Sequence, residues 1–237
     1  MIVFPDVDLD KVIPKAAIGF AANSGQACIS TNRVYVHESI AEEFVSKMKT
    51  HLEELYSKNV GDPLQGAVLG PQADRIQYQN VLKFLEEGKK SGAKLILGGG
   101  RHGDKGYFIQ PTIFQDVFRP WKCANCQAPE DSYIMKNESF APIAQVNSFS
   151  SEEEVLAKAN DSEFGLYASV FTRDLNRALR FAKELESGQV AVNAASPTFS
   201  ITMPFGGWKQ SGIGSEYGIE GLDHWSQMKS VYISMDE

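Results

Sequence analysis

Three thiols and four imidazoles carry most of the nucleophilic and metal-binding potential of this sequence. One of them stands in a setting suited to catalysis. Cys28 follows Gly25 and Gln26 directly after a helical pattern and precedes a run with strand character, which places it in a turn that exposes a thiolate. Thiolate is the strongest side-chain nucleophile near neutral pH, and a loop after a helix presents both the sulfur and a backbone amide to an electrophilic carbonyl. A cysteine so placed is also commonly a small packed filler, and spacing alone leaves both roles open. Cys123 and Cys126 form one C-x-x-C with no second pair and no nearby histidine, so they read as two thiols on a surface insertion rather than a four-ligand zinc site. His37, His51, His102 and His224 are isolated and read as structural or solvent-facing, and no metal is expected.

The glycine-rich stretches lack phosphate chemistry. Gly98-Gly99-Gly100-Arg101-His102-Gly103 fits G-x-G-x-x-G after a strand, but the chain runs on through Asp104-Lys105-Gly106-Tyr107-Phe108 into another extended segment. A dinucleotide fingerprint needs a helix opening there, so that its N-terminal amides meet the pyrophosphate. The segment reads as a connecting loop. Gly206-Gly207 and Gly212-Ile213-Gly214 lack the P-loop spacing and also read as loop.

The elements that must position Cys28 alternate in type. Asp8 to Ala22 has apolar residues at helical spacing, with Pro14 kinking the helix or lying in its first turn, and should end near Asn23-Ser24-Gly25. A strand over Thr31–His37 leads into a helix, with Ser39 and Glu42 at capping-box spacing. Then follow a helix over Asp74–Ser91, a strand over Lys94–Leu97, extended segments over Phe108–Phe114 and Ile143–Phe149, and a helix over Glu152–Ala159. Strand Tyr167–Thr172, helix Asp174–Glu186 and strand Gln189–Asn193 complete the alternation. This order predicts an α/β fold with a mainly parallel sheet covered by helices on both faces. A last apolar strand, Lys229–Ser234, should pair with a sheet edge, that of another subunit included.

The 237 residues suit one domain with a small extension, and 43% hydrophobic with 22% charged residues is ordinary globular usage. A formal net charge of −7 disfavours nucleic acid as a partner. The start, Met1-Ile2-Val3-Phe4-Pro5-Asp6, lacks a basic segment followed by an apolar one, and no apolar run approaches the roughly 18 residues of a membrane span. With an odd number of cysteines, this predicts a soluble, cytoplasmic protein without membrane contact.

Asn23-Ser24-Gly25-Gln26-Ala27-Cys28-Ile29-Ser30 with Arg33-Val34-Tyr35-Val36 resembles the active-site motif of aldehyde dehydrogenases. Ile2 to Asp10, Gly61-Asp62-Pro63, Gly106 to Thr112, Glu138-Ser139-Phe140-Ala141-Pro142, Pro204-Phe205-Gly206-Gly207 and Glu216-Tyr217-Gly218 resemble further motifs of that family in family order, over essentially the whole chain. The resemblance implies an aldehyde dehydrogenase-like catalytic domain over residues 1–223, with an insertion at about 118–132, and an oligomerisation segment over 224–237. It implies that Cys28 attacks an aldehyde carbonyl to give a thiohemiacetal, with its own N–H holding the oxyanion. Phe205 and Phe199 match positions lining the substrate tunnel, and Glu138 and Phe140 match contacts to the nicotinamide end of the cofactor.

Ala141 departs from the glycine usual in that motif. The resemblance also places the general-base Glu, a second oxyanion donor, a ribose-contacting Lys and the dinucleotide domain upstream of the segment matched by Ile2-Val3-Phe4. Without them the positioning contribution to hydride transfer, about 7 to 11 kcal/mol, is forfeited. The leading expectation is therefore a truncated homologue that uses its thiol on a carbonyl or activated alkene without NAD, for isomerisation, cyclisation or acyl transfer. An alternative is the catalytic part of an NAD- or NADP-dependent aldehyde dehydrogenase, active once a cofactor domain complements it. A third reading is a non-catalytic partner of full-length homologues. The expected partners are a small-molecule substrate and further copies of this chain, or a homologue.

Overall fold

A computed structural model describes residues 1–115, 132–196, 198 and 200–235. Strand β1 (Ile2–Val3) runs into α1 (Leu9–Ala21), and β2 (Arg33–His37) into α2 (Ala41–Leu55). Helix α3 (Arg75–Lys90), β3 (Lys94–Leu97), β4 (Thr112–Gln115), the single-turn α4 (Tyr133–Lys136), β5 (Ile143–Phe149) and α5 (Glu152–Asn160) follow. The chain then forms β6 (Phe164–Gly165), β7 (Tyr167–Phe171), α6 (Leu175–Glu184), β8 (Gln189–Val192) and β9 (Trp208–Lys209). Seven strands make one sheet in the order β3-β4-β5-β2-β1-β7-β8, parallel throughout except for the edge strand β3. β6 and β9 pair as a small antiparallel ribbon.

Alternate side chains of each central strand serve opposite faces, as the two-residue period requires. Val3, Val34, Val36, Ala144, Val146, Ile113 and Phe171 join the core with α1 and α2. Ile2, Phe4, Tyr35, Phe149 and Val170 pack with α5 and α6, and Phe114 and Ile143 with α3. Each such fully buried Val, Ile or Phe contributes about 1.5 to 3 kcal/mol, so the doubly covered sheet is the rigid frame behind the site. This is the expected architecture.

Two local expectations are corrected, and a third finds no partner within the described chain. Pro14 lies in the second turn of α1, and the helix runs on through it because its ring sits on the exposed side, where water serves the carbonyl left without an N–H donor. The capping box at Ser39 and Glu42 does not form: His37 Nδ1 accepts from Ser39 N–H at 3.3 Å and pairs with Ser39 Oγ at 2.9 Å, so a short 3₁₀ turn precedes α2. The C-terminal segment forms no strand. Among the described residues it finds no sheet edge, and Met228, Val231, Tyr232, Ile233 and Met235 stand exposed. No helix among the described residues is long and apolar enough to cross a membrane.

Candidate active site

The sheet's two ends differ. At the carboxyl ends of β1 and β7, Asp6 Oδ2 accepts from Thr172 Oγ1 (2.8 Å), Arg173 N (2.9 Å) and Arg177 (3.2 Å), and Arg177 also bonds Glu152 at 2.8 Å. Arg177 further covers the ring of Phe4 at 4.4 Å. This network fills the end of an open α/β sheet where ligands usually bind. The amino ends instead open onto a cleft of about 320 Å³ whose walls include Ile2, Arg33, Tyr167, Ser169 and Cys28.

Cys28 reaches that cleft through an unusual backbone. After α1, Asn23, Ser24 and Gly25 adopt φ of 52°, 55° and 70°, three consecutive left-handed residues of which only the last is glycine. Such conformations cost about 1 to 3 kcal/mol each for non-glycine residues and persist only where surroundings hold them. Here they are held. Asn23 Nδ2 donates to Gln26 O at 2.9 Å and Ser24 Oγ to Gly70 O at 3.0 Å. Gln26 donates to Pro71 O and accepts from Ala73 N at 2.7 Å, tying the loop to the segment before α3. Gly25 is pressed against residue 141: a Cβ on it would stand 2.1 Å from the carbonyl carbon and oxygen of Ala141.

Ser30 N donates to Ala27 O at 2.9 Å, closing a tight turn with Cys28 at its corner. The thiol is exposed and forms no disulfide. Among the described residues, none accepts a hydrogen bond from the Cys28 N–H. That amide is available to an oxyanion on the attacked carbon.

The other residues singled out in the sequence divide. Glu138 lines the Cys28 cleft and also a small cavity on the far side of the turn, shared with Ala27, Ser30 and Phe140. Glu138 is an exposed residue at the cleft mouth, where partial desolvation pushes its carboxyl pKa above the ordinary value, and it makes no hydrogen bond or ion pair with a described residue. Phe140 has φ of 48° and is half-buried, and its carbonyl accepts from Gln77 Nε2 at 2.9 Å. Ala141 turns its side chain into the core beneath α3, away from the cleft. Phe205 is half-buried and meets Tyr217 edge-on at 6.3 Å; it does not line the Cys28 cleft, whereas Gln210 and Ser211, directly after β9, do. Phe199, Cys123 and Cys126 lie outside the described residues.

Several cleft residues carried no sequence signal. Arg33, Lys136 and Tyr167 stand far apart in the chain; the parallel register of β1, β2 and β7 brings Arg33 and Tyr167 to one end of the sheet, and α4 adds Lys136. Burial raises the pKa of Tyr167, whose hydroxyl donates to Thr198 O at 3.1 Å. Gly98 and Gly99 form a loop, as expected, with Gly99 N donating to Thr112 Oγ1. No cluster of three or more His, Cys, Asp or Glu suited to a metal occurs among the described residues.

Comparison with known proteins gives the same picture from another direction. A model of the aldehyde dehydrogenase family matches residues 1–231. The chain is 43% identical over 237 residues to aldehyde dehydrogenase 1A1 of Gallus gallus, covering all of this chain and 44% of that protein. It is 42% identical to a betaine aldehyde dehydrogenase of Brucella anthropi, covering 99% of this chain and 46% of that protein. Among solved structures, an NAD+ complex of aldehyde dehydrogenase from Bacillus cereus superposes with a TM-score of 0.89 at 35% identity, over 99% of this chain and 45% of that one. The chain thus spans less than half the length of the relatives it matches. A family model that spans nearly the whole chain, with relatives of this identity, places the chain in the aldehyde dehydrogenase family.

Proposed function

We propose that this chain performs covalent thiol catalysis on a small carbonyl compound, with Cys28 as the nucleophile. The observation that carries this reading is the exposed Cys28 at the corner of a strained, cross-braced turn opening onto a 320 Å³ cleft. Cys28 Sγ bonds to an aldehyde carbon, the carbonyl π electrons move to oxygen, and the Cys28 N–H donates to that oxygen as charge develops. The product is a thiohemiacetal, and reaching it requires no nucleotide. An activated alkene would be attacked in the same way at its electrophilic carbon. Gln210 and Ser211 would meet the substrate at the cleft wall, whereas Phe205 stands off this cleft against Tyr217.

A second reading is favoured by the position of Glu138 and Phe140 beside the Cys28 turn. In it, the same thiohemiacetal is oxidised with NAD or NADP once a cofactor domain complements this chain. The donor set suits the nicotinamide end of such a cofactor: a carboxylate accepts from ribose hydroxyls and an aromatic ring flanks a flat heterocycle. The glycine loop after β3 leads toward β4 and does not open a helix, so it offers no helix N-terminus to a pyrophosphate. When bound, the nucleotide would supply a hydride acceptor, while this chain holds the adduct and its oxyanion.

The test is covalent. In a Cys123→Ser, Cys126→Ser background, a small enone should add once per chain, on the Cys28 peptide, by mass spectrometry. The Cys28→Ala variant should take up none. Uptake by the Cys28→Ala variant equal to that of its parent contradicts the assignment.

A further inference from the structure

Nucleophilic attack by a thiol needs somewhere for its proton to go, and the cleft offers few candidates. The titratable and charged groups that line it with Cys28 are the amino group of Met1, which is fully buried and committed to Arg33 O at 2.8 Å, Arg33 and Tyr35 from β2, Lys136 from α4, Glu138, Tyr167 from β7, and Glu186 after α6. Arginine, lysine and tyrosine are poor proton acceptors near neutral pH. Two carboxylates remain. Glu186 is already engaged by Lys209 in an ion pair at 2.5 Å. Glu138 has no hydrogen bond or ion pair with a described residue. It also lines both cavities that flank the turn carrying Cys28.

We propose that Glu138 is the acid–base residue of this chain, accepting the Cys28 thiol proton, directly or through one water, as sulfur bonds to the carbonyl carbon. With an aldehyde, Glu138 returns that proton to the carbonyl oxygen, so the neutral thiohemiacetal forms with no net change in the protein. With an ester, the departing alkoxide or phenoxide takes the proton and an acyl-Cys28 remains for water to hydrolyse. Neither route needs an oxidant. The position suits the task because a carboxyl in a partly desolvated mouth titrates closer to neutrality, where a general base is most effective. The inference rests on Cys28 being the nucleophile, and it gives Glu138 a task separate from any contact with a nicotinamide.

Two probes applied to the Cys123→Ser, Cys126→Ser chain separate the two assignments. Alkylation of Cys28 by iodoacetamide in alkaline buffer, where hydroxide takes the thiol proton without help from Glu138, reports a reachable sulfur. The nitrophenolate burst from p-nitrophenyl acetate reports attack on a carbonyl with proton transfer. Glu138→Gln should lower the burst rate about 100-fold and flatten the acid limb of its pH profile, while alkylation of Cys28 persists. Added formate should restore part of the burst in Glu138→Ala, because a small carboxylate can occupy the vacated space. A burst unchanged in Glu138→Gln, or an equal fall in burst and alkylation without formate rescue, overturns the Glu138 assignment and leaves Cys28 as the nucleophile. A parent chain whose Cys28 reacts with neither probe overturns both.

Discussion

At the scale of residues, the site depends on backbone strain more than on side-chain crowding. Gly25 is the position at which this is most easily tested. A methyl group there meets both an unfavourable φ of 70° and a carbonyl 2.1 Å away. Gly25→Ala is expected to destabilise the fold by at least about 2 kcal/mol in urea unfolding and to slow Cys28 alkylation, because the turn must shift to relieve the clash. Stability and reactivity both at parental values would show that the turn is not built as described. The turn that carries the thiol was legible in the sequence, since a Gly-Gln-x-Cys run stands between a helix and a strand, but its exposure was not, because spacing alone left a packed filler open. The left-handed run that holds it was not legible either. Asn23 and Ser24 tolerate φ above zero only because Gln26, Gly70 and Ala73 brace them, and those contacts join segments about 45 residues apart.

At the scale of elements, helix starts carry a measurable electrostatic contribution. Glu154 in the first turn of α5 is partly buried, which pushes its carboxyl up, but Ser150 N and Oγ at 2.8 and 2.7 Å and Lys158 at 2.9 Å outweigh this and hold its pKa at about 2. A carboxylate depressed in the folded state stabilises above its unfolded pKa of about 4.5, and the contribution is lost as pH falls toward 2. Because the pair is about one-third exposed, solvent screening limits this to roughly 1 kcal/mol. Glu154→Gln should therefore lower stability at pH 7 by about that amount and narrow its difference from the parent at pH 3, measured by urea titration at both pH values. An undiminished gap at low pH would contradict the assignment. Most helices and strands were readable from periodicity and capping residues, Asp74, Ser151 and Asp174 all accepting from backbone N–H groups as N-caps. The capping box at Ser39 failed because His37, at the end of β2, reached the same amide first.

At the scale of the whole molecule, sequence pattern gave a parallel sheet but not which end of it would be open. Asp6, Arg177 and Glu152 cross-link the carboxyl ends of β1 and β7 through contacts spanning up to 171 residues, while the Cys28 cleft lies at the amino ends. The final segment shows the same limit: its alternating apolar residues suit a strand, but a strand exists only with a partner, and within the described chain there is none. We propose that a second copy supplies it, so the chain is expected to self-associate at micromolar concentration by light scattering, and a chain ending at residue 225 to do so less. Equal masses for the two would remove that segment from the assembly.

The central claim is that Cys28 is an accessible attacker and not a packed filler, and intact-protein mass spectrometry with peptide mapping measures this most directly. After brief exposure of the native Cys123→Ser, Cys126→Ser chain to a small enone at neutral pH, one adduct per chain on Cys28 is the expected result. A chain that remains unmodified while native, and takes up the enone only once unfolded, would contradict the account.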